Sequence, residues 1–425
     1  MSMASMKKWM MASEFDLIVV GGGAAGLFSA GTAAGFLRRV LLLERNRDLG
    51  RKLRITGKGR CNILNDCQPE DVLKHVTTGN RFLYSSVFGF PPNTAKDFFE
   101  GLGLPLKTER GKRVFPVSDQ AEDVVEVLEK WVHSQRVQIC HGRARELLIR
   151  GGKIAGVKTD EKVYYAPRVI LATGGMSYPA TGSTGDGYIL AAQAGHTISS
   201  CSGSLVPLEV EGGCRNLAGL NLRNTGVTLR GKQKKPVYQD FGELLFMNYG
   251  LSGPTILSCS AHVDEKIAPY IIELDLKPAL DDGRLDSRLL RDFETRKNKS
   301  IYDGLRGVLP AKLVPLILER SGIATNRVVH EITRKERYDI IQNIKHLRFT
   351  VVGKRPVEEA IITHGGVNLI EVNPKTMESK KVSGLYFAGE ILDCDAYTGG
   401  FNLQIAWSTA YAAGTSCGNS KNAVL

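Results

Sequence analysis

The chain has 425 residues, too long for one ordinary core, and 43% of them are hydrophobic, so two or three globular domains are expected. Lys and Arg outnumber Asp and Glu by 56 to 44, a formal +12 that favours an anionic partner such as RNA. No run of about 18 uncharged apolar residues exists to cross a bilayer, no secretory type of apolar segment follows the Met-rich start, and the eight Cys form no CxxC pair, so reduced thiols and a cytoplasmic location are expected.

Residues 1 to 13 read as a disordered lead-in. "FDLIVVGGGAAGLFSAGTAAGFLRRVLLLE", residues 15–44, then gives a buried parallel strand, a Gly-rich turn, a small-residue helix and a second apolar strand. Within it Gly21-x-Gly23-x-x-Gly26 follows a strand and opens a helix, and Glu44 closes the next strand 18 residues after Gly26. Gly21 makes the tight turn, Gly23 lets a pyrophosphate approach the backbone, and Gly26 permits close helix packing, while Ala24 and Ala25 open the helix whose N-terminus attracts phosphate. Glu44 would bond an unphosphorylated ribose, which points to NAD or FAD, and Arg45 stands beside it as a further cofactor candidate.

"GRKLRITGKGRCNILN", residues 50–65, packs five Lys and Arg, three Gly and one Cys into one turn-rich stretch. Its place just after Glu44 sets it against the cofactor, so Lys52, Thr56, Gly57, Gly59, Arg60 and Asn62 are candidate cofactor contacts and its charge is assigned to the dinucleotide phosphates. Cys61 is a candidate proton donor whose thiol Arg54, Lys58 and Arg60 would make more acidic.

From 66 to 135 the stretches "EDVLKHVTTGN", "NTAKDFFEGLGL" and "QAEDVVEVLEKWVHSQ" have helical spacing, with "ERGKRVFPVS" (109–118) a hairpin between them. Strands follow at "VQICHGRARELLI", which carries the cofactor candidate Arg145, and at "KIAGVKTD". "APRVILATGG" (166–175) is another buried strand, ending in the candidates Thr173 and Gly174, and Tyr178 in the following "MSYPATG" is a second candidate proton donor.

Short alternating pieces between 204 and 280 suggest an inserted β domain, and 281–347 is mostly helical. The chain returns through "LRFTVVGKRPVEEAIITHGGV", which carries His364, the third candidate proton donor, to a strand "GLYFAGE" and a long helix "FNLQIAWSTAYAAG". The expected division is therefore a discontinuous first domain of 14–203 and 364–425, a β domain of 204–280 and 348–363, and a helical subdomain of 281–347. Residues 284–356 hold 17 Lys and Arg against 8 Asp and Glu, so most of the surplus charge sits in the insertion.

"GLYFAGEILDCDAYTGGFNLQ" (384–404) resembles the second flavin fingerprint of two-dinucleotide-binding-fold flavoproteins, which makes Gly389, Glu390, Gly400, Asn402 and Leu403 cofactor candidates and places FAD ahead of NAD. No metal-ligand spacing occurs among the eight scattered His.

Six blocks in order resemble the BaiN/RdsA-like FAD-dependent oxidoreductase family: "GRKLRITGKGRCNILN", "RVFPVSDQAEDVV", "VILATGGMSYPATGSTGDGY", "GLSGPTIL", "ITHGGV" and "GGFNLQIAWSTAYAAG". The resemblance implies an α/β fold: a Rossmann-like FAD-binding domain with an inserted β-barrel-like domain and a helical subdomain. It implies reduction of an activated C=C bond, either uridine to dihydrouridine in large-subunit ribosomal RNA, gripped by the basic region 284–356, or a small enone or steroid-like substrate. NAD(P)H would serve as a transient electron donor, since no second dinucleotide fingerprint follows. One departure stands out: Met247 and Asn248 occupy the place of the family's Thr-His pair ahead of "YGLSGP".

Overall fold

The computed structural model describes residues 14–233, 235–264 and 269–419, so the expected lead-in of residues 1–13 lies outside the described residues. Along the chain run β1 (Leu17–Val20), α1 (Ala24–Ala34), β2 (Val40–Glu44), α2 (Ala121–Ser134), β3 (Gln138–His141) and β4 (Val169–Leu171). There follow β5 (Leu208–Val210), β6 (Asn221–Arg230), β7 (Tyr238–Met247), β8 (Gly250–Ser252), β9 (Tyr270–Asp275), α3 (Asp282–Glu294), α4 (Arg334–Lys345) and β10 (Leu347–Lys354). The chain closes with β11 (Leu385–Phe387) and α5 (Phe401–Asn419). Two units result: residues up to Ser204 together with Val357 onward, and the continuous segment Leu205–Pro356.

The first unit is built on a parallel sheet in the order β11-β4-β1-β2-β3, with Val19 opposite both Leu42 and Ile170. Its strands are near-continuous apolar runs, as a sheet covered on both faces requires, and Leu17 to Val20 are all buried. Helix α1 is made mostly of small residues, which lets α5 and the sheet approach it closely. Phe28 is its large anchor, with ring centroids 4.8 to 5.5 Å from Phe90, Phe98, Trp131 and Trp407. Trp407 on α5 is fully buried and donates its indole N–H to the Ile63 carbonyl at 3.0 Å, tying α5 to the signature stretch.

Two local expectations change. The helix expected over "EDVLKHVTTGN" ends at Lys74, because the β-branched run Val76–Thr78 forms a strand paired with Asp395–Ala396. The single strand expected at "VQICHGRARELLI" is two: β3 in the parallel sheet, and Ala144–Arg150 in a separate antiparallel three-stranded sheet.

The second unit is a closed six-stranded barrel in the order β5-β8-β7-β6-β9-β10, so no strand edge is left open. Strand β10 shows the period of two: Leu347, Phe349 and Val351 are buried and Arg348 and Val352 are exposed. Helices α3 and α4 turn Leu285, Leu289 and Phe293, and Ile340, Ile341 and Ile344, into their own core. Asp281 caps α3 by accepting from Arg284 N–H at 2.8 Å, and Thr333 and Glu336 form a reciprocal capping box on α4. The chain enters and leaves this unit side by side: Leu208 pairs with Lys354, and Arg355 N–H donates to the Pro207 carbonyl at 3.0 Å.

Candidate functional site

The turn after β1 is held by two steric constraints. Gly21 has φ +105°, and a Cβ there would lie 2.6 Å from the Ala172 carbonyl oxygen; a Cβ on Gly26 would lie 1.7 Å from the Gly21 oxygen. Gly23 is the opposite case, since a Cβ there would meet no atom within 4 Å. Gly23 begins α1 with no side-chain cap, so the first N–H groups of the helix face this open space with their partial positive charge. Ala24 lies half-buried beside it, and buried Ala25 packs against the place where Gly389, at φ +76°, turns after β11.

Glu44 is buried at the end of β2. Its Oε2 accepts from Gly22 N–H at 2.6 Å, and its Oε1 accepts from the Asn46 backbone and side-chain N–H groups, both at 2.7 Å. Three donors hold the carboxylate, and a fourth acceptor direction is left for a ribose hydroxyl. At the end of β4 the hydroxyl of Thr173 is buried without a hydrogen-bond partner, a costly state that a bound polar group would relieve, and Gly174 follows at φ +71°. The open glycine cradle, the held acid and the orphaned hydroxyl together fit an adenine dinucleotide.

Four of the five cations of the signature stretch, Arg51, Lys52, Arg54 and Arg60, are turned to protein partners. Arg51 donates to Asn46 Oδ1 at 3.1 Å, Arg54 pairs with Glu122 and with Glu129, and Lys52 pairs with Glu390 at 2.7 Å. Arg60, expected at the cofactor, is clasped by Glu109 at 2.5 Å and Asp119 at 2.6 Å and lies over the Phe115 ring at 4.1 Å. The loop they surround is unusual in backbone: Gly57, Lys58, Gly59 and Cys61 all have φ between +57° and +83°. Thr56 closes it, its hydroxyl donating to Leu53 O at 2.7 Å and its carbonyl accepting from Cys61 N–H at 3.0 Å.

Cys61 is fully buried, and burial pushes its thiol up to about 12, with the Thr56 hydroxyl pulling weakly the other way. The lowering expected from neighbouring Arg and Lys does not occur, because the guanidiniums of Arg54 and Arg60 are paired with carboxylates. In the amide orientation that its neighbours select, Asn62 donates to the Leu64 and Val114 carbonyls at 3.1 and 3.2 Å and accepts from Gly400 N–H at 3.0 Å, which joins the loop to the start of α5.

Four separated sequence blocks meet at Glu390. Its Oε1 accepts from Lys52 Nζ at 3.0 Å, Ser177 Oγ at 3.1 Å and Thr363 N–H at 2.9 Å, and its Oε2 accepts from Lys52 Nζ at 2.7 Å. Lys52 Nζ also donates to Ser177 Oγ at 2.7 Å, and Thr363 Oγ1 accepts from Met176 N–H at 2.7 Å. Glu390, a cofactor candidate from the sequence, is thus an internal clamp. Asn402 likewise braces its own loop, accepting from Ala396 N–H and donating to the Ala396 and Tyr397 carbonyls, while Leu403 packs half-buried in the first turn of α5. Arg45 reaches Thr184 at 2.7 Å and Asp186 at 3.2 Å, beside Arg143, which pairs with Asp186 at 2.6 Å. Arg145, a cofactor candidate from the sequence, pairs with Asp160 at the surface, and Arg143 is the residue that joins Arg45 on Asp186.

Of the candidate proton donors, His364 has the most developed surroundings. Its Nδ1 lies 3.2 Å from Asp395 Oδ1, while 44% of the His364 side chain is exposed. Asp395 is 1% exposed and also accepts from Ser204 Oγ at 2.8 Å and, through its carbonyl, from Thr77 Oγ1 at 2.9 Å. Burial acts to raise the Asp395 carboxyl, but the contacts to His364, Ser204 and Thr77 outweigh it and leave the group below its ordinary range. Asp395 was missed in the sequence, although "DCD" within the flavin-like block was its signal. Tyr178 has the strained left-handed φ of +55°, next to Ser177 of the Glu390 cluster.

Comparison with known proteins follows the same lines. The family profile described as "HI0933-like protein Rossmann domain" matches residues 15–416. A 3-dehydro-bile acid delta(4,6)-reductase of Clostridium scindens is 34% identical over 93% of this chain and 97% of its own length. A ribosomal RNA dihydrouridine synthase of Haemophilus influenzae is 30% identical over 96% of this chain and 99% of its own. Among solved structures, a 3-ketosteroid delta1-dehydrogenase of Sterolibacterium denitrificans shares the fold with a TM-score of 0.52 at 13% identity, covering 96% of this chain and 100% of its own.

Proposed function

Since this chain belongs to the HI0933-like family and is an FAD-dependent oxidoreductase, we propose that it reduces the activated C=C bond of uridine in large-subunit ribosomal RNA, giving dihydrouridine. The observation that carries the RNA substrate is the concentration of 17 Lys and Arg against 8 Asp and Glu in residues 284–356, in a chain that matches a ribosomal RNA dihydrouridine synthase over 96% of its length.

Gly21, Gly23 and the N-terminus of α1 would hold the dinucleotide pyrophosphate, Glu44 the adenosine ribose, and Thr173 a further polar group of the cofactor. When bound, FAD supplies the hydride that reduction of a C=C bond requires. The second carbon needs a proton, and His364 is the residue that holds it: Asp395 faces Nδ1, fixes the ring and stabilises its protonated form, so Nε2 is the nitrogen that exchanges a proton with substrate. Lys52, Ser177, Thr363 and Glu390 act as the clamp that keeps the signature loop, the segment after β4 and the His364 strand in one arrangement.

Mass spectrometry of nucleosides from ribosomal RNA tests the substrate. Deletion of the gene is expected to remove one dihydrouridine from the large-subunit RNA, and an unchanged level at every position would overturn the reading. The 34% identity to a bile acid reductase favours a second reading, reduction of a small enone; turnover of a 3-keto-4-ene steroid by purified protein, with ribosomal RNA unaltered, selects it.

A further inference from the structure

We infer that the outer face of the second unit's barrel, at the hairpin joining β6 to β7, is the surface that grips the RNA phosphate backbone, an inference that rests on the RNA reading above. The helical layer holds most of the surplus cations, and several of them are held by carboxylates where they stand. Arg288 pairs with Asp292, Arg337 with Asp286, Arg327 with Glu336 and Lys345 with Asp275, while Arg296 is turned to the Asp303 carbonyl. An arginine already held by a carboxylate offers little net charge to a phosphate.

The barrel is arranged differently. The described residues of β6 and the hairpin after it include Arg223, Arg230, Lys232 and Lys235 and no acid, and the first acid on β7 is Asp240. Glu273 on β9, opposite Thr228, is only 7% exposed, and three groups converge on it: Arg348 at 2.8 Å, His346 at 3.2 Å and Arg230 at 3.4 Å. One buried acid therefore holds two guanidiniums, and the charge of the group stays positive. Register explains the grouping, since Thr228, Glu273 and Arg348 are cross-strand neighbours on β6, β9 and β10, and Arg230 stands two residues along on the same face.

The Arg348 side chain is 61% exposed, so its remaining N–H groups face solvent in an orientation that Glu273 fixes beforehand. Arg230 is the last residue of β6, and exposed Lys232 and Lys235 follow directly in the hairpin. One row away Phe241, exposed, stands opposite Gly226, leaving room on the ring for a base to stack. Preorganised guanidiniums, flexible lysines and an exposed ring on one sheet face complement a single-stranded or looped RNA.

The test uses the full chain loaded with FAD and a fluorescein-labelled RNA stem–loop, with anisotropy recorded across a range of salt concentrations. Arg230→Glu with Arg348→Glu is expected to weaken binding by roughly tenfold or more at 100 mM salt and to flatten the slope of log K against log salt by about one to two. Lys232→Glu with Lys235→Glu, at exposed hairpin positions that the fold does not need, is expected to act in the same direction and covers the case in which the strand variant fails to fold. Arg334→Glu with Lys335→Glu on α4 is expected to change the slope by less than half as much. Tight binding by all variants with an unchanged slope overturns this surface while leaving the RNA reading standing. Absence of RNA binding by the unaltered protein overturns both.

Discussion

At the scale of single residues the structure separates two groups that look alike in sequence, Cys61 and His364. Both stand in motif blocks, and both can carry a proton. Cys61 is sealed in the core with its thiol near 12, whereas His364 is half-exposed and turned by a buried carboxylate. His364→Gln is therefore expected to lower kcat for substrate reduction by roughly 10² to 10⁴-fold with FAD content unchanged, the range found for loss of a general acid. Cys61→Ala is expected to leave the pH profile of kcat/KM unmoved. A shifted alkaline limb in Cys61→Ala, with full activity in His364→Gln, would reverse the assignment. Asp395 adds a stability effect with a definite sign. Its folded pKa lies below the unfolded value of about 4, so its contribution is present above that pH and is lost as the pH falls further. Asp395→Asn is expected to remove that acid-side dependence from thermal melts between about pH 5 and pH 3.

At the scale of elements, the turn between β1 and α1 carries the clearest test of the cofactor site. Gly23 and Gly26 are three residues apart in one motif, but a methyl group at Gly26 would overlap the Gly21 carbonyl and one at Gly23 would enter open space at an ordinary φ of −84°. Gly26→Ala is expected to destabilise the first unit by several kcal/mol through overpacking. Gly23→Ala is expected to keep far-UV circular dichroism intact while FAD absorbance near 450 nm falls. Equal FAD content in the unaltered protein and Gly23→Ala would remove Gly23 from the cofactor site. These turns were legible in the sequence because strand, glycine spacing and acid are local signals. The partners of Lys52, Arg54 and Arg60 were not, since Glu390, Glu122 and Glu109 are brought to them by tertiary folding across up to 338 residues of chain. A dense run of Arg and Lys reads as a phosphate site when its acids are far away in sequence. Arg143 was not singled out in the sequence because its link to Asp186 depends on the strand break between β3 and Ala144–Arg150, in which it lies.

At the scale of the whole molecule, the barrel with its helical layer is one continuous stretch, Leu205–Pro356, whose first and last strands are hydrogen-bonded neighbours. A closed barrel without open edges and with its own buried Leu208, Leu244, Phe246 and Ile272 has what an independent domain needs. Residues 205–356 expressed alone are expected to give a cooperative thermal transition and a β-rich circular dichroism spectrum. A non-cooperative melt with exposed apolar surface would show that the stretch needs the rest of the chain.

The pairing of Leu208 with Lys354 has a consequence for how such a protein changes its substrate. A segment whose two ends meet at a single hydrogen-bonded junction behaves as an exchangeable cassette: it can diverge, or be transplanted between relatives, without reopening the parallel sheet that precedes and follows it. A ribosomal RNA dihydrouridine synthase and a bile acid reductase both align over nearly the whole chain, this segment included. A chimaera that exchanges the 152 contiguous residues 205 to 356 at that seam tests whether substrate choice travels with the segment: transfer of the donor's substrate is the outcome expected of a cassette, and retention of the recipient's would overturn it.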